Sequence, residues 1–313
     1  MSYFHTSGSA VDPITALGWG LGIACLAIVA LIGVLLLAAL FRARAPKPEG
    51  LVRTVSRSGS GLPWIYIGTG VSTVVLCGMV IWTLLTLKLV AAPHAATGLT
   101  IEIRAHQWWW EIRYVGEPPA RTFVTANELH IPVGTPVSLR LIGDDVIHSF
   151  WIPALAGKTD VIPGQTNNAW IEADKPGVYR GQCSEYCGLQ HAHMSAFVIA
   201  EPKRQFEAWW QQQLAPSQPP RSAQLVIGAE LFRSRCAACH TVRGIGAGGI
   251  LGPDLTHLMS RNTIAAGTFR NSPESLSRWI ANAQALKPGS RMPQMDLTAP
   301  QLDAVTAFVQ TLR

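Results

Sequence analysis

At 313 residues, 48% of them hydrophobic and 14% charged, with a formal net charge of +6, the chain is too long to be one small domain. The low charge and positive mean hydropathy point to membrane-spanning segments, and nothing in the composition indicates a nucleic-acid partner. From Leu17 to Phe41 the chain carries no charge and is long enough to cross a bilayer, for which about twenty apolar residues suffice. The residues before it include Asp12 but no Lys or Arg, so a retained helix is expected rather than a cleaved signal peptide. A second uncharged run from Ser58 to Leu87 predicts a second crossing over about residues 62–87. Between the two runs lie Arg42, Arg44, Lys47, Arg53 and Arg57 against Glu49 alone. By the positive-inside rule this loop is cytoplasmic, and everything after Lys88 lies outside.

From Leu99 the pattern changes to short β-rich runs. Thr100 to Arg104, Thr135 to Leu141 and Ala196 to Ile199 read as strands, and Asp174-Lys175-Pro176-Gly177 marks a turn. The set predicts a small all-β Greek-key sandwich. Directly after the first strand comes Gln107-Trp108-Trp109-Trp110, where consecutive side chains on an extended strand face opposite sides. Further on, His148 sits between apolar runs in Asp145-Val146-Ile147-His148-Ser149-Phe150-Trp151-Ile152-Pro153.

The stretch Cys183-Ser184-Glu185-Tyr186-Cys187-Gly188-Leu189-Gln190-His191-Ala192-His193-Met194 gathers two thiols, two imidazoles and a thioether in one short loop. Soft sulfur ligands with imidazole favour copper or zinc over hard cations, and Met194 is a weak ligand of the kind copper electron-transfer sites use. A disulfide between Cys183 and Cys187, or structural zinc held with His191, are the competing readings.

After Pro202, residues Gln205 to Gln211 predict a short surface helix, and Ala215-Pro216-Ser217-Gln218-Pro219-Pro220-Arg221-Ser222 is a semi-rigid Pro-rich linker. Beyond it, Cys236-Ala237-Ala238-Cys239-His240 is the C-x-x-C-H of covalent c-type haem attachment, expected on a helix. Gly252-Pro253-Asp254-Leu255 and Lys287-Pro288-Gly289-Ser290-Arg291-Met292-Pro293 then resemble the small all-α cytochrome c fold. That likeness implies that the first segment orients the axial His240 and the second brings Met292 to the iron, with Met295 as alternative. Helices are predicted near 229–239, 273–283 and 299–312. The organisation is therefore multidomain: a two-helix transmembrane hairpin with its N-terminal segment (1–97), a sandwich (98–202), a helix and linker (203–224) and a haem domain (225–313).

The pairing of the His148 segment with C-S-E-x-C-G-x-x-H-x-x-M resembles the CuA-bearing subunit II of haem-copper cytochrome c oxidases. With the haem domain added, it is similar to the caa-type form in which cytochrome c is fused to that subunit. The resemblance implies a cupredoxin sandwich holding dinuclear copper: Cys183 and Cys187 bridge the two ions, His148 and His191 cap one each, and Met194 and the Glu185 carbonyl are weak ligands. It also implies that the Glu185 carboxylate reaches a magnesium ion at the interface with subunit I, and that electrons from cytochrome c arrive at Trp108. The expected partners are oxidase subunits I (haem and CuB) and III and an external cytochrome c or other donor. The expected location is a bacterial inner (cell) membrane, with both metal domains on the periplasmic face. The expected function is electron delivery from haem c through CuA to subunit I, where oxygen is reduced to water with proton translocation; a CuA subunit of a nitric oxide reductase and a stand-alone membrane-anchored electron carrier compete with it. Two departures from the pattern stand out: His193, where relatives mostly carry another residue, and the lack of an acid in the second helix. Residues 98–201 hold 7 basic and 11 acidic side chains, and residues 221–313 hold 10 and 5. Salt-sensitive docking of the haem domain on the sandwich is expected from these opposite signs.

Overall fold

The computed structural model describes residues 6–42 and 61–313. Arg44, Lys47, Glu49, Arg53 and Arg57 of the basic loop, and Ser58 to Ser60, lie outside the described residues. Helices α1 (Asp12–Phe41) and α2 (Leu62–Val90) make up one compact unit, residues 13–92. Each outruns the uncharged stretch that predicts it: α1 takes Asp12 into its first turn and α2 takes Lys88 into its last, the ends where the helix dipole favours those charges. At 30 and 29 residues and about 1.5 Å per residue, both are longer than the roughly 30 Å hydrocarbon core of a bilayer. Apolar side chains lie exposed all round both helices, as suits a lipid surrounding rather than water.

The second unit contains the sandwich and the C-terminal domain. Strands β1 (Leu99–His106), β2 (Trp109–Val115), β3 (Phe123–Ala126), β4 (Glu128–Pro132), β5 (Val137–Gly143), β6 (His148–Phe150), β7 (Thr159–Val161), β8 (Thr166–Ile171), β9 (Gly177–Gln182) and β10 (Ser195–Glu201) build the sandwich. One sheet has the order β3-β2-β1-β5-β8, the other β4-β10-β9, and β6 pairs with β7 in a short ribbon. Most pairings are antiparallel; β1 with β5 and β4 with β10 are parallel. Alternation drives the layering: Ile101 and Ile103 of β1 and Leu139 and Leu141 of β5 are fully buried, and their sequence neighbours face out. Strand β5 begins at Val137 rather than Thr135 because Pro136 has no amide for the ladder.

Helix α3 (Lys203–Leu214) is more than the surface helix its sequence suggests. It buries Phe206 and Trp210, with the Trp210 ring 5.2 Å from Tyr114 and 5.1 Å from Phe123, while Trp209 stacks on His130 at 4.0 Å. These edge-on and stacked aromatic contacts fasten the helix to the sandwich.

In the C-terminal domain, α4 (Ala223–Arg235), α5 (Pro273–Ala281), α6 (Ala283–Leu286) and α7 (Ala299–Val309) surround a second core built on Phe232, Ile280 and Phe308. Serine caps set two starts: Ser222 Oγ accepts from Leu225 N and Ser272 Oγ from Ser275 N, so α4 begins well before the expected position 229. Helices α4 and α7 cross at Gly228, where a Cβ would come within 2.1 Å of Ala304 O; only glycine allows that approach. Helix α4 ends at Arg235, so the C-x-x-C-H motif lies on the turn after the helix rather than on it. The amides of Cys239 and His240 both donate to Cys236 O, at 3.0 and 2.9 Å, which reverses the chain there and sets both thiols on one tight turn.

Candidate functional site

The sheet itself closes the cysteine loop. Cys183 directly follows β9 and Met194 directly precedes β10, its antiparallel neighbour, and Cys183 N donates to Met194 O at 3.0 Å. Ser184 N donates to Ser149 O at 3.0 Å, pinning the loop against the ribbon strand that carries His148. As a result the ligand atoms of His148, Cys183 and Cys187, all three buried, lie within 4.8 Å of one another. Cys183 Sγ is 3.9 Å from His148 Nδ1 and 3.3 Å from Glu185 O. Cys187 Sγ is 3.5 Å from His191 Nδ1 and 3.9 Å from Met194 Sδ.

The donor set bears on which metal fits. The two sulfurs are 3.8 Å apart, far beyond the ~2.05 Å of a disulfide, and all six cysteines are free. One tetrahedral zinc uses four ligands. The structure gathers two thiols, two imidazoles, a thioether and a carbonyl, a soft set that suits copper.

Local hydrogen bonds prepare these groups. Burial alone would raise the Asp145 carboxyl, yet bonds from His148, Gln107 N and Val146 N outweigh it and hold it below the usual carboxylate range. Its Oδ1 lies 2.9 Å from His148 Nε2, which fixes the tautomer and leaves Nδ1 aimed at Cys183, the carboxylate–histidine–metal arrangement. Burial would lower the His148 imidazole, and the contacts with Cys183 and Asp145 more than reverse that. The contact between the two sulfurs holds the Cys183 thiol well below the ordinary cysteine value and raises that of Cys187.

Trp108 Nε1 donates to Cys187 O at 2.9 Å, and Gln107 Nε2 donates to the same oxygen at 2.8 Å. Of the neighbouring tryptophans, Trp110 is fully buried with its ring 6.0 Å from His148 and 5.2 Å from Phe150, so core packing accounts for it. Trp109 stacks on His106 at 4.5 Å. His193 stays outside the cluster, its Nδ1 meeting Gln190 Oε1 at 2.7 Å. Among the described residues Glu185 joins no group of three acidic, His or Cys side chains able to hold a metal; magnesium is not supported.

In the C-terminal domain Cys236, Cys239, His240, Met292 and Met295 line a cavity of about 340 Å³ that Gln107, Trp108 and Trp109 of the sandwich also line. His240 Nδ1 meets Pro253 O at 2.8 Å, leaving Nε2 free for a metal, and burial holds its pKa below the ordinary histidine value. Gly252 lets the following loop pass over the ring, since a Cβ there would be 2.7 Å from His240 Cε1. Gln284 Nε2 donates to Met292 O at 2.6 Å and steadies the methionine loop. Two thiols, a free imidazole nitrogen and a facing thioether around an apolar cavity suit a covalently held haem.

Sequence reasoning passes over Asp145, Gln107 and Lys287 as functional residues. An acid three residues before a candidate histidine ligand is a usable signal. Lys287 gives none, because it lies among turn residues and acquires its partners only on folding. Its Nζ donates to Trp108 O and His193 O at 2.8 Å each and to Ala265 O at 3.1 Å, and burial pushes it down to about 7.

Residues 115–201 match the family model "Cytochrome C oxidase subunit II, periplasmic domain", and residues 225–313 match "Cytochrome c". The chain is 38% identical over 215 residues to the cytochrome c oxidase subunit 2 of Alkalihalophilus pseudofirmus, an alignment covering 68% of this chain and 61% of the relative. It is 32% identical to the protein of the same name from Bacillus sp. (strain PS3), covering 69% of this chain and 62% of that one. The chain thus spans about three fifths of the length of these curated relatives. The crystal structure of the periplasmic domain of subunit II of cytochrome oxidase from Bradyrhizobium japonicum is 32% identical, with 38% of this chain and 95% of that chain covered and a TM-score of 0.36.

Proposed function

The chain belongs to the cytochrome c oxidase subunit II family, with a cytochrome c domain fused behind the periplasmic one, and from that premise we propose that it is the electron-input subunit of a membrane-bound terminal oxidase. The observation that carries the reading is the convergence of two thiols, two imidazoles, a thioether and a carbonyl around the buried His148, Cys183 and Cys187, one hydrogen bond from Trp108.

In this reading Cys183, Cys187, His148, His191, Met194 and the Glu185 carbonyl would hold the copper, the two cysteines as the thiolate ligands. Cys236 and Cys239 would carry the haem, and His240 and Met292 would be available to its iron. When bound, the copper pair and the haem supply reversible one-electron exchange. The protein's part is to hold, orient and insulate. Asp145 aligns His148, and the loop ends are tied to β6 and β10, so the ligands are set before a metal arrives. Trp108 offers the connecting route, its ring against the cavity and its N–H on Cys187 O. Burial keeps water off both thiols.

The two apolar helices cross the membrane, the basic segment between them faces the cytoplasm, and the metal domains face the periplasm. Oxygen reduction and proton translocation belong to subunit I, with subunit III and an external donor completing the assembly. The test is to purify the matured complex and measure its metals and oxygen uptake with a reduced donor. Two coppers and one covalent haem per chain, with uptake, are expected. Zinc in the cysteine loop, or no copper, would overturn the reading.

A further inference from the structure

The contact between the sandwich and the C-terminal domain holds two buried charges that form no direct salt bridge among the described residues, although the buried Arg261 guanidinium acts on Glu128 from further off. Lys287 is 3% exposed and Glu128 2%. The three N–H bonds of the Lys287 ammonium have three acceptors, the carbonyls of Trp108 and His193 on the sandwich and Ala265 on its own domain. Glu128, on β4, is the counterpart: Oε2 accepts from Asn262 N and Nδ2 at 2.9 and 3.3 Å, and Oε1 from Thr263 N and Oγ1 at 2.8 and 2.9 Å. A buried charge is tolerated only when it is fully hydrogen-bonded, and because most of these bonds cross the contact, each group is satisfied in this register and not in a shifted one that stays dry. Between the two anchors the chain comes close enough for Ser195 N to donate to Ala266 O at 3.0 Å. Gly267, at φ +77°, fits where a Cβ would lie 2.8 Å from Phe197 Cε2. Trp108 is left 8% exposed, under Gly289 and the cavity wall.

We propose that Lys287 and Glu128 fix the C-terminal domain on the sandwich in one register, as a lid over Trp108, so that no separate donor protein reaches that tryptophan. The lid rests on these contacts alone; its meaning for donors rests on the functional reading above.

The test uses the detergent-solubilised full chain carrying both groups. Lys287→Met keeps the length of the side chain and removes all three N–H bonds. Amides of residues 105–110 and 263–267 should exchange with deuterium at least about tenfold faster than in the parent chain, and hydroxyl-radical modification of Trp108 should rise at least about fivefold. Trp110, in the sandwich core, and the haem absorbance should not change, which separates opening of the lid from general unfolding. Unchanged exchange and unchanged Trp108 modification in the folded variant would overturn the proposal. For a variant that does not fold, the unmutated chain decides: a water-soluble acetylating reagent should modify exposed Lys158, Lys175 and Lys203 and spare Lys287, and modification of Lys287 at a comparable rate would equally overturn it. A parent chain that binds no copper yet keeps Lys287 and Trp108 protected leaves the lid standing and removes only the functional reading.

Discussion

Replacing Asp145 with Asn isolates what one carboxylate does for the copper cluster. Asp145 uses both oxygens: Oδ1 faces His148 Nε2 at 2.9 Å and accepts from Val146 N at 2.8 Å, and Oδ2 accepts from Gln107 N at 2.7 Å. An asparagine has one oxygen, so it can serve the His148 side or the Gln107 side but not both. With its oxygen towards His148, the imidazole keeps a neutral partner and the Gln107 amide faces an NH2 group. With the amide flipped, His148 loses the acceptor that fixes its tautomer. Losing a hydrogen bond to a charged group costs about 1.5–3 kcal/mol. Metal sites that lose such an outer partner typically weaken about 10- to 100-fold, which at about 1.4 kcal/mol per tenfold covers much the same range. Copper affinity of the Asp145→Asn chain, measured by competition with a copper(I) chelator, should therefore fall by about one to two powers of ten, with the haem absorbance unaltered. An affinity within about twofold of the parent would refute the orienting role; a loss of ~10⁴ or more would make Asp145 a ligand itself, since direct ligands cost more than their supports.

Three further outcomes follow from the geometry. Cys187→Ser removes one of the two proposed copper-holding sulfurs, so the near-infrared copper band should vanish while the haem spectrum persists; a surviving band would take Cys187 out of the cluster. Gly252→Ala forces a methyl to 2.7 Å from His240 Cε1, and overpacking of this kind costs about 1–3 kcal/mol, read as a lower thermal midpoint of the C-terminal domain together with a shifted haem spectrum. Intrachain reduction of the copper by the haem, followed by stopped flow, should change by less than about fivefold between 0.01 and 1 M salt, the worth of one exposed ion pair; a steep decline with salt would mean that surface charge holds the domains together.

The cluster was legible because its members are close in sequence or sit at fixed offsets. Cys183 to Met194 span one loop, and the haem turn is five consecutive residues. Only His148 comes from elsewhere, and it was recognisable as a lone imidazole between apolar runs. The alternating strands and long apolar helices were legible for the same reason, since periodicity is a local property. Ends were read less well. Helix α4 starts at a serine cap rather than at its first apolar stripe, and α1 starts at an acid outside the uncharged run. Helix α3 looked like a surface helix because Trp209 and Trp210 find Tyr114, Phe123 and His130 across nearly a hundred residues of chain, a pairing that no local pattern encodes.

The domain contact shows where counting charges misleads. The sandwich is net acidic and the C-terminal domain net basic by sequence, which suggested attraction between oppositely charged faces. Among the described residues one ion pair spans the contact, Arg291 with Asp145 at 3.7 Å, and that arginine side chain is 69% exposed. Lys287 and Glu128 are each buried against neutral carbonyls, amides and hydroxyls, all of them on the opposite domain except Ala265 O, which lies on the domain of Lys287 itself. A charge held in this way is specific to a register of backbone atoms rather than to a sign. Salt screens it little, and sliding the domains by one residue would leave it unpaired in a dry site. Net charge speaks to how two surfaces meet in solution; what keeps these two in one pose is the cost of stripping a buried ion of its last hydrogen bonds.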